Sequence, residues 1–283
     1  MSTKQIEKEH LSYSFLFSIC SIVTDMREYD EMRQSFEACG FTGNSEYLIA
    51  DNTTGTKFSA YEAIATFIKR SSAQYLILVH QDVRCIDDNE RLIDCLKNLT
   101  RIDNKWAICG NAGSMGYHEK RFYLENAGNQ IITQGLPAEV TSLDENLLII
   151  NRDTNLTLSA DFTGFHLYGT DLCLVADFLG YKSYVIPFMV KHLSLGNMEE
   201  LKAYKKNFIR QYGKKLRGRF IETTCTKFYL SNSELKNKLF NSWPVFLFIK
   251  LLQRIGFLWR RFALKNHSYK TIKRKAGTFQ SLF

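Results

Sequence analysis

None of the seven cysteines, at positions 20, 39, 85, 95, 109, 173 and 225, stands in a CxxC pair. That spacing excludes the zinc ribbons and thioredoxin-like redox motifs built from such pairs. An odd count with mostly apolar neighbours points to reduced, packed thiols in the cytosol, not to a disulfide framework. Long hydrophobic runs are also missing: no uninterrupted apolar stretch reaches bilayer-spanning length. The segment Leu11–Val23 is apolar, but its leader mixes Lys with Glu and no small-residue cleavage site follows, which argues against a secretory signal. A phosphate-binding loop of the usual kind is absent too. Gly110–Gly116 (GNAGSMG) lacks the Lys-Ser/Thr of a P-loop and the spacing of a dinucleotide fingerprint, and it reads as a flexible loop.

Acidic side chains are scarce in one region only. Residues 1–200 hold 17 Lys and Arg against 27 Asp and Glu, a net of −10; residues 201–283 hold 20 against two, a net of +18. An acidic body with a basic tail implies two jobs, and the boundary is placed near Gly196–Leu201, giving domains 1–200 and 201–283. In the tail, 243–262 reads WPVFLFIKLLQRIGFLWRRF. On a helical wheel Lys250, Gln253, Arg254, Arg260 and Arg261 gather on one arc and Leu247, Phe248, Leu251, Leu252, Ile255, Leu258 and Trp259 on the other, with Phe246 and Phe257 intruding. A basic amphipathic helix of this kind suits an anionic membrane surface, so the protein is expected in the cytoplasm and peripheral at the inner face of the membrane. The competing reading is a helix docked on the body with a solvated basic face.

The body alternates strand-like and helix-like segments. Phe15–Val23, Glu46–Ala50, Tyr75–Val79 and Trp106–Cys109 read as strands; Tyr29–Cys39, Ser59–Arg70 and Asn89–Leu99 read as helices. That cadence predicts an α/β fold with a mainly parallel central sheet and flanking helices. In such sheets ligands bind beyond the carboxyl ends of the strands, where Asp51 and Asp82 both fall. The stretch LILVHQDVR (76–84) shows the pattern most plainly, an apolar run ending in His80-Gln81-Asp82. A divalent cation held by one or two carboxylates neutralises a departing diphosphate, and an earlier strand-end acid can hold a base or ribose. The simpler account is that each Asp caps the next turn or helix.

Further on, DFTGFHLYGTDLCLVA (161–176) predicts a helix from about Thr170 to Gly180 with Leu172, Val175, Ala176 and Leu179 inward. Asp171 then lies in the first turn, where it either reacts or merely favours the helix N-terminus, with Thr170 as cap. Tyr184–Val190 reads as a last strand, followed by Lys191-His192-Leu193-Ser194-Leu195-Gly196.

Taken in order, Asp51, the HQDV motif at 80–83, FHLYGTDLCLVA and His192-x-Ser194-x-Gly196 resemble family-2-type glycosyltransferases, in particular a bacterial subgroup related to a streptomycin-biosynthesis glycosyltransferase. The resemblance covers roughly residues 13–197. It implies a GT-A fold, a nucleotide-diphosphate sugar donor (a UDP-sugar by family prevalence), Mn²⁺ or Mg²⁺, and transfer to a glycan or lipid-linked acceptor in bacterial envelope synthesis. It makes Asp51 a nucleoside contact, Asp82 the surviving acid of an Asp-x-Asp metal motif whose first position is His80, and His192 a late metal ligand. It places Asp171 in the segment that supplies the catalytic base, with His166 and Asp161 as alternatives; many relatives carry Glu-Asp-x-Asp where this chain has Tyr168-Gly169-Thr170-Asp171. The rival classes are a basic-tailed nucleic-acid-binding protein and a sugar nucleotidyltransferase. The tail shows no nucleic-acid-binding motif and the acidic body would repel phosphates, which weighs against nucleic acid.

Overall fold

The computed structural model describes residues 12–116, 119–126, 128–193, 198–222 and 226–242, together with 244, 247, 248, 251 and 255. The chain divides into two compact units, Met1–Ile209 and Arg210–Phe283.

The first unit opens with β1 (Phe15–Val23), α1 (Met26–Ala38), β2 (Ser45–Asp51), α2 (Ala60–Arg70), β3 (Ala73–Val79), β4 (Val83–Cys85), α3 (Asn89–Ile102) and β5 (Trp106–Gly110). Local chemistry explains the boundaries. Asp25 caps α1, accepting from the Arg27 and Glu28 amides, so that helix begins three residues before the periodicity alone indicates. Ser59 and Glu62 form a reciprocal capping box at the start of α2. Gly40, at φ +87°, ends α1 in the left-handed conformation that a side chain disfavours.

After β5 the chain makes an excursion through β6 (Ala112–Ser114), β7 (Lys120–Asn126), β8 (Asn129–Ile132), β9 (Ala138–Val140) and β10 (Ser142–Leu143) before β11 (Leu147–Asn151). The helix α4 (Tyr168–Phe178), β12 (Lys182–Val185), β13 (Val190–His192) and α5 (Met198–Lys215) follow. The central sheet has the order β2-β1-β3-β11-β5-β12-β9. It is mixed, not mainly parallel: β1 pairs in parallel with β2 and β3, and β12 with β5, but β11 runs antiparallel to both β3 and β5, and β9 antiparallel to β12. The reason lies in the excursion. It leaves from the carboxyl end of β5 and returns to that same end, so β11 enters with Leu147 opposite Val79 and can only run back. Gly110–Gly116 is correspondingly not a loop throughout: it contains β6, where a Cβ on Gly113 would lie 2.5 Å from the Ser142 carbonyl.

A second sheet, β10-β6-β7-β13-β4 with β8 on β7, caps that end. Its formation corrects the expected strand Tyr184–Val190, which is two strands on two sheets separated by Pro187. The main core packs Phe17, Phe36, Phe41, Trp106 and Phe188, all 2% exposed or less, against aliphatic residues of β1, β3 and β11. Each such side chain contributes about 1.5–3 kcal/mol of burial. Trp106 stacks on Tyr75 and donates its indole N–H to Thr100 Oγ1 at 2.9 Å.

In the second unit, the hairpin of β14 (Arg219–Glu222) and β15 (Lys227–Leu230) precedes α6 (Glu234–Phe240). Two asparagines fasten this segment to β15: Asn237 exchanges hydrogen bonds with the Ser231 backbone, and Asn241 with that of Tyr229. Most of 243–262 lies outside the described residues. No helix among the described residues is long and apolar enough to cross a membrane.

Candidate metal and ligand site

The sheet edge expected to bind ligands carries a cavity of about 580 Å³, within the range of small-molecule sites. Its wall takes Thr24 from the end of β1, His80, Gln81 and Asp82 from the end of β3, Asn126 from β7, His192 from β13, Asp144 and Glu145 from before β11, and His166 and Tyr168 from around the start of α4. Ala60, Ile64 and Phe67 of α2 form an apolar side. Among the described residues that line it there are three carboxylates and three imidazoles but no Lys or Arg.

The turn from β3 to β4 aims the His80–Asp82 segment. Gln81 Oε1 accepts from the backbone amides of Thr24 and Asp25 at 2.8 and 3.1 Å, tying the end of β3 to that of β1. In the second sheet β13 lies antiparallel to β4, with His192 opposite Val83, and the Leu193 amide donates to the Asp82 carbonyl. His192 Nε2 therefore stands 3.5 Å from Asp82 Oδ2, while His80 Nδ1 stands 3.9 Å from Oδ1. One ligand atom from each residue falls within 4.8 Å of the others, the only such group of three found among the described residues. His192 Nε2 is buried and has no hydrogen-bond partner. Two imidazoles, one of them with an orphaned ring nitrogen, and a carboxylate suit a divalent cation. Desolvation lowers the His80 pKa, with Asp82 acting in the opposite sense; the neutral ring that coordinates a metal is favoured.

On the facing wall, Glu145 Oε1 accepts from the Gly169 amide at 3.4 Å at the first turn of α4. Leu167, the residue before that helix, is left-handed (φ +63°) and provides no side-chain cap. The expected start at Thr170 is thus corrected: α4 begins at Tyr168, and its amides find a carboxylate from another part of the chain. Burial, reinforced by Asp144, pushes the Glu145 carboxyl up to about 8 against the opposing pull of the Gly169, Leu167 and Tyr168 amides. Of the residues expected inward on α4, Leu172 and Ala176 are buried, but Leu179 is 51% exposed because the helix has already ended.

The remaining expected site residues are placed differently. His166 lines the cavity, its Nε2 3.6 Å from Glu200 Oε2 and its ring edge-on to Tyr204. Asp171 has no exposed surface; its Oδ2 accepts from the Ser159 amide at 2.8 Å, and it is not part of the cavity wall. Asp161 is exposed and also outside that wall. Asp51 ends β2, where its carboxylate accepts from the Thr53 amide and hydroxyl, which lower its pKa. It does not line the cavity, but it pairs in register with Val23, the neighbour of Thr24. Sequence reasoning missed Glu145, Tyr168 and Asn126. Only the Asp144-Glu145 pair, set just before an apolar run, offered a signal.

No family model matches the chain. Among solved structures it is similar to A197 from STIV (TM-score 0.40, 11% identity, 64% of this chain and 87% of that one). It is also similar to the mannosyltransferase PcManGT from Pyrobaculum calidifontis, solved in complex with GDP-Man and Mn²⁺ (TM-score 0.47, 10% identity, 73% of this chain and 65% of that one). Both likenesses are too distant to bear on function. A curated protein of Fuscovulum blasticum, "ATP synthase subunits region ORF 6", is 35% identical over 188 residues, spanning 63% of this chain and 76% of its own length. At that identity and coverage, the chain belongs to the family of this Fuscovulum blasticum protein.

Proposed function

We propose that the chain is a metal-dependent glycosyltransferase that moves a sugar from a nucleotide-diphosphate donor, a UDP-sugar by preference, to a glycan or lipid-linked acceptor with inversion. The observation that carries this reading is the His80–Asp82–His192 group at the carboxyl end of β3, inside a cavity whose described wall has no Lys or Arg. A diphosphate entering a wall of carboxylates would be repelled unless a cation accompanied it. His80, Asp82 and His192 would hold Mn²⁺ or Mg²⁺, which when bound stabilises the negative charge of the departing diphosphate. The resemblance to family-2-type glycosyltransferases agrees with this placement.

The chain's own residues do the rest. Asp82, bracketed by two imidazoles, turns one carboxylate oxygen toward each of them. The nucleoside end is assigned to the edge formed by Thr24 and the neighbouring Asp51. We assign the base to Glu145 in place of Asp171, because a base must come within hydrogen-bond reach of the acceptor hydroxyl. Glu145 stands on the cavity wall with a raised pKa, whereas Asp171 has no exposed surface and does not line the cavity. His166 is the reserve for that role.

The tail bears on the choice of acceptor. Of the described residues in 243–262, Leu247, Phe248, Leu251 and Ile255 are all exposed, and 247, 251 and 255 share one helical stripe. Together with the basic charge of 201–283, this supports docking on an anionic membrane surface, where a lipid-linked acceptor would lie. The test of the reading is donor hydrolysis across UDP-, GDP-, CMP- and dTDP-sugars with Mn²⁺. The proposal expects metal-dependent turnover of one class, preferentially UDP; no turnover and no metal-dependent binding of any donor would reject it.

A further inference from the structure

Tyr168 is fully enclosed and reaches two partners with one hydroxyl. Its oxygen lies 2.8 Å from His80 Nε2 and 3.2 Å from the backbone carbonyl of Glu145. A phenol has a single proton, a backbone carbonyl only accepts, and an imidazole nitrogen can do either, depending on tautomer. Both contacts are satisfied in one arrangement only: Tyr168 donates to the Glu145 carbonyl, and His80 donates its Nε2–H to Tyr168. The reverse arrangement leaves the phenol oxygen and the carbonyl oxygen facing each other with no hydrogen between them. It would also put a proton on Nδ1 facing Asp82 Oδ1 at 3.9 Å, too far for a hydrogen bond.

We infer that Tyr168 is a positioning residue that fixes His80 in the Nε2–H tautomer, so that the Nδ1 lone pair points at the Asp82–His192 group. This rests on the reading of His80 as a cation ligand. Metal-binding histidines are commonly oriented in this way by an acceptor on their second nitrogen. The two imidazoles then bind through different atoms, His80 through Nδ1 and His192 through Nε2.

The backbone around Tyr168 is built to hold it there. A Cβ on Gly169 would lie 2.6 Å from the Leu143 carbonyl, so only glycine lets α4 approach the 143–145 segment this closely. Tyr61 packs edge-on against the Tyr168 ring at 6.5 Å, limiting its rotation. The YGTD sequence at 168–171 thus supplies a phenol and a close backbone approach at this point of the wall.

The test uses the full chain. Nitrogen-15 NMR of the histidine rings, in the metal-free protein, is expected to show His80 with its proton on Nε2. Tyr168→Phe keeps the ring but removes the hydroxyl; it should lose the single-tautomer signature and weaken Mn²⁺ binding by about 10–100-fold in calorimetry, with the thermal midpoint little changed. A proton on His80 Nδ1 in the unsubstituted protein, or unaltered Mn²⁺ affinity in a folded Tyr168→Phe variant, would overturn the inference. If that variant does not fold, the NMR result on the parent chain still decides it. A parent chain that shows the Nε2–H tautomer yet binds no Mn²⁺ would instead count against the proposed function.

Discussion

His192 Nε2 and Asp82 Oδ2 lie 3.5 Å apart, brought together by the antiparallel pairing of β13 with β4. The Asp82 carboxylate has His80 on its other side, so its removal should leave two imidazoles with no anion between them. His192→Ala is expected to weaken Mn²⁺ binding less than Asp82→Asn, because a carboxylate and donor oxygens still coordinate the ion. Calorimetry on both variants checks the order; an equal or reversed order contradicts it.

Glu145 gives the pH signature. Its carboxyl is raised to about 8, so between the ordinary carboxylate range and pH 8 the folded state keeps a proton that the unfolded chain has released. Stability from this group is therefore fullest at low pH and declines as pH rises through 8. A base must be deprotonated, so turnover should rise over the same range. Glu145→Gln should abolish the turnover rise, flatten that part of the stability profile and lower turnover by about 10²–10⁴. A pH–rate profile of the variant with the limb intact would move the base elsewhere, His166 first.

Asp171 is expected to matter for folding. Asp171→Ala deprives the half-buried Ser159 amide of its acceptor and should cost about 1–3 kcal/mol in urea unfolding. Mn²⁺ affinity of the folded fraction should not change. A loss of turnover at full stability would return Asp171 to the chemistry.

How much of this was legible beforehand varies with the range of the forces involved. β1 was readable to the residue, and α2 nearly so, because an apolar run and a helical spacing of apolar residues are local signals. The start of α4 was not, since its amides are met by Glu145, more than twenty residues upstream. The antiparallel β11 was hidden for a similar reason: an apolar run reads alike in either direction, and only the excursion through the second sheet sets it. His80, Asp82 and His192 were visible as polar residues closing strand-like runs. Tyr168 and Glu145 were not, as their roles come from contacts across the cavity.

The tail prediction needs a cut that respects α6. Because Asn237 and Asn241 fasten α6 and its C-terminal end to β15, truncation after Ser242 removes the exposed apolar stripe while keeping those bonds. The shortened chain should keep metal and nucleotide binding but no longer sediment with anionic vesicles. Salt should weaken, not eliminate, the full-length interaction, since the apolar part is unscreened. A full-length chain that ignores vesicles at low salt contradicts the membrane assignment.

The central claim is that His80, Asp82 and His192 hold a divalent cation that carries a nucleotide-diphosphate sugar into this cavity. Its most direct measurement is titration of a UDP-sugar into the full-length chain with and without Mn²⁺, repeated with Asp82→Asn. The account predicts donor binding that requires Mn²⁺ and is lost in the folded variant. Donor binding that is undiminished without metal, or in Asp82→Asn, would contradict it.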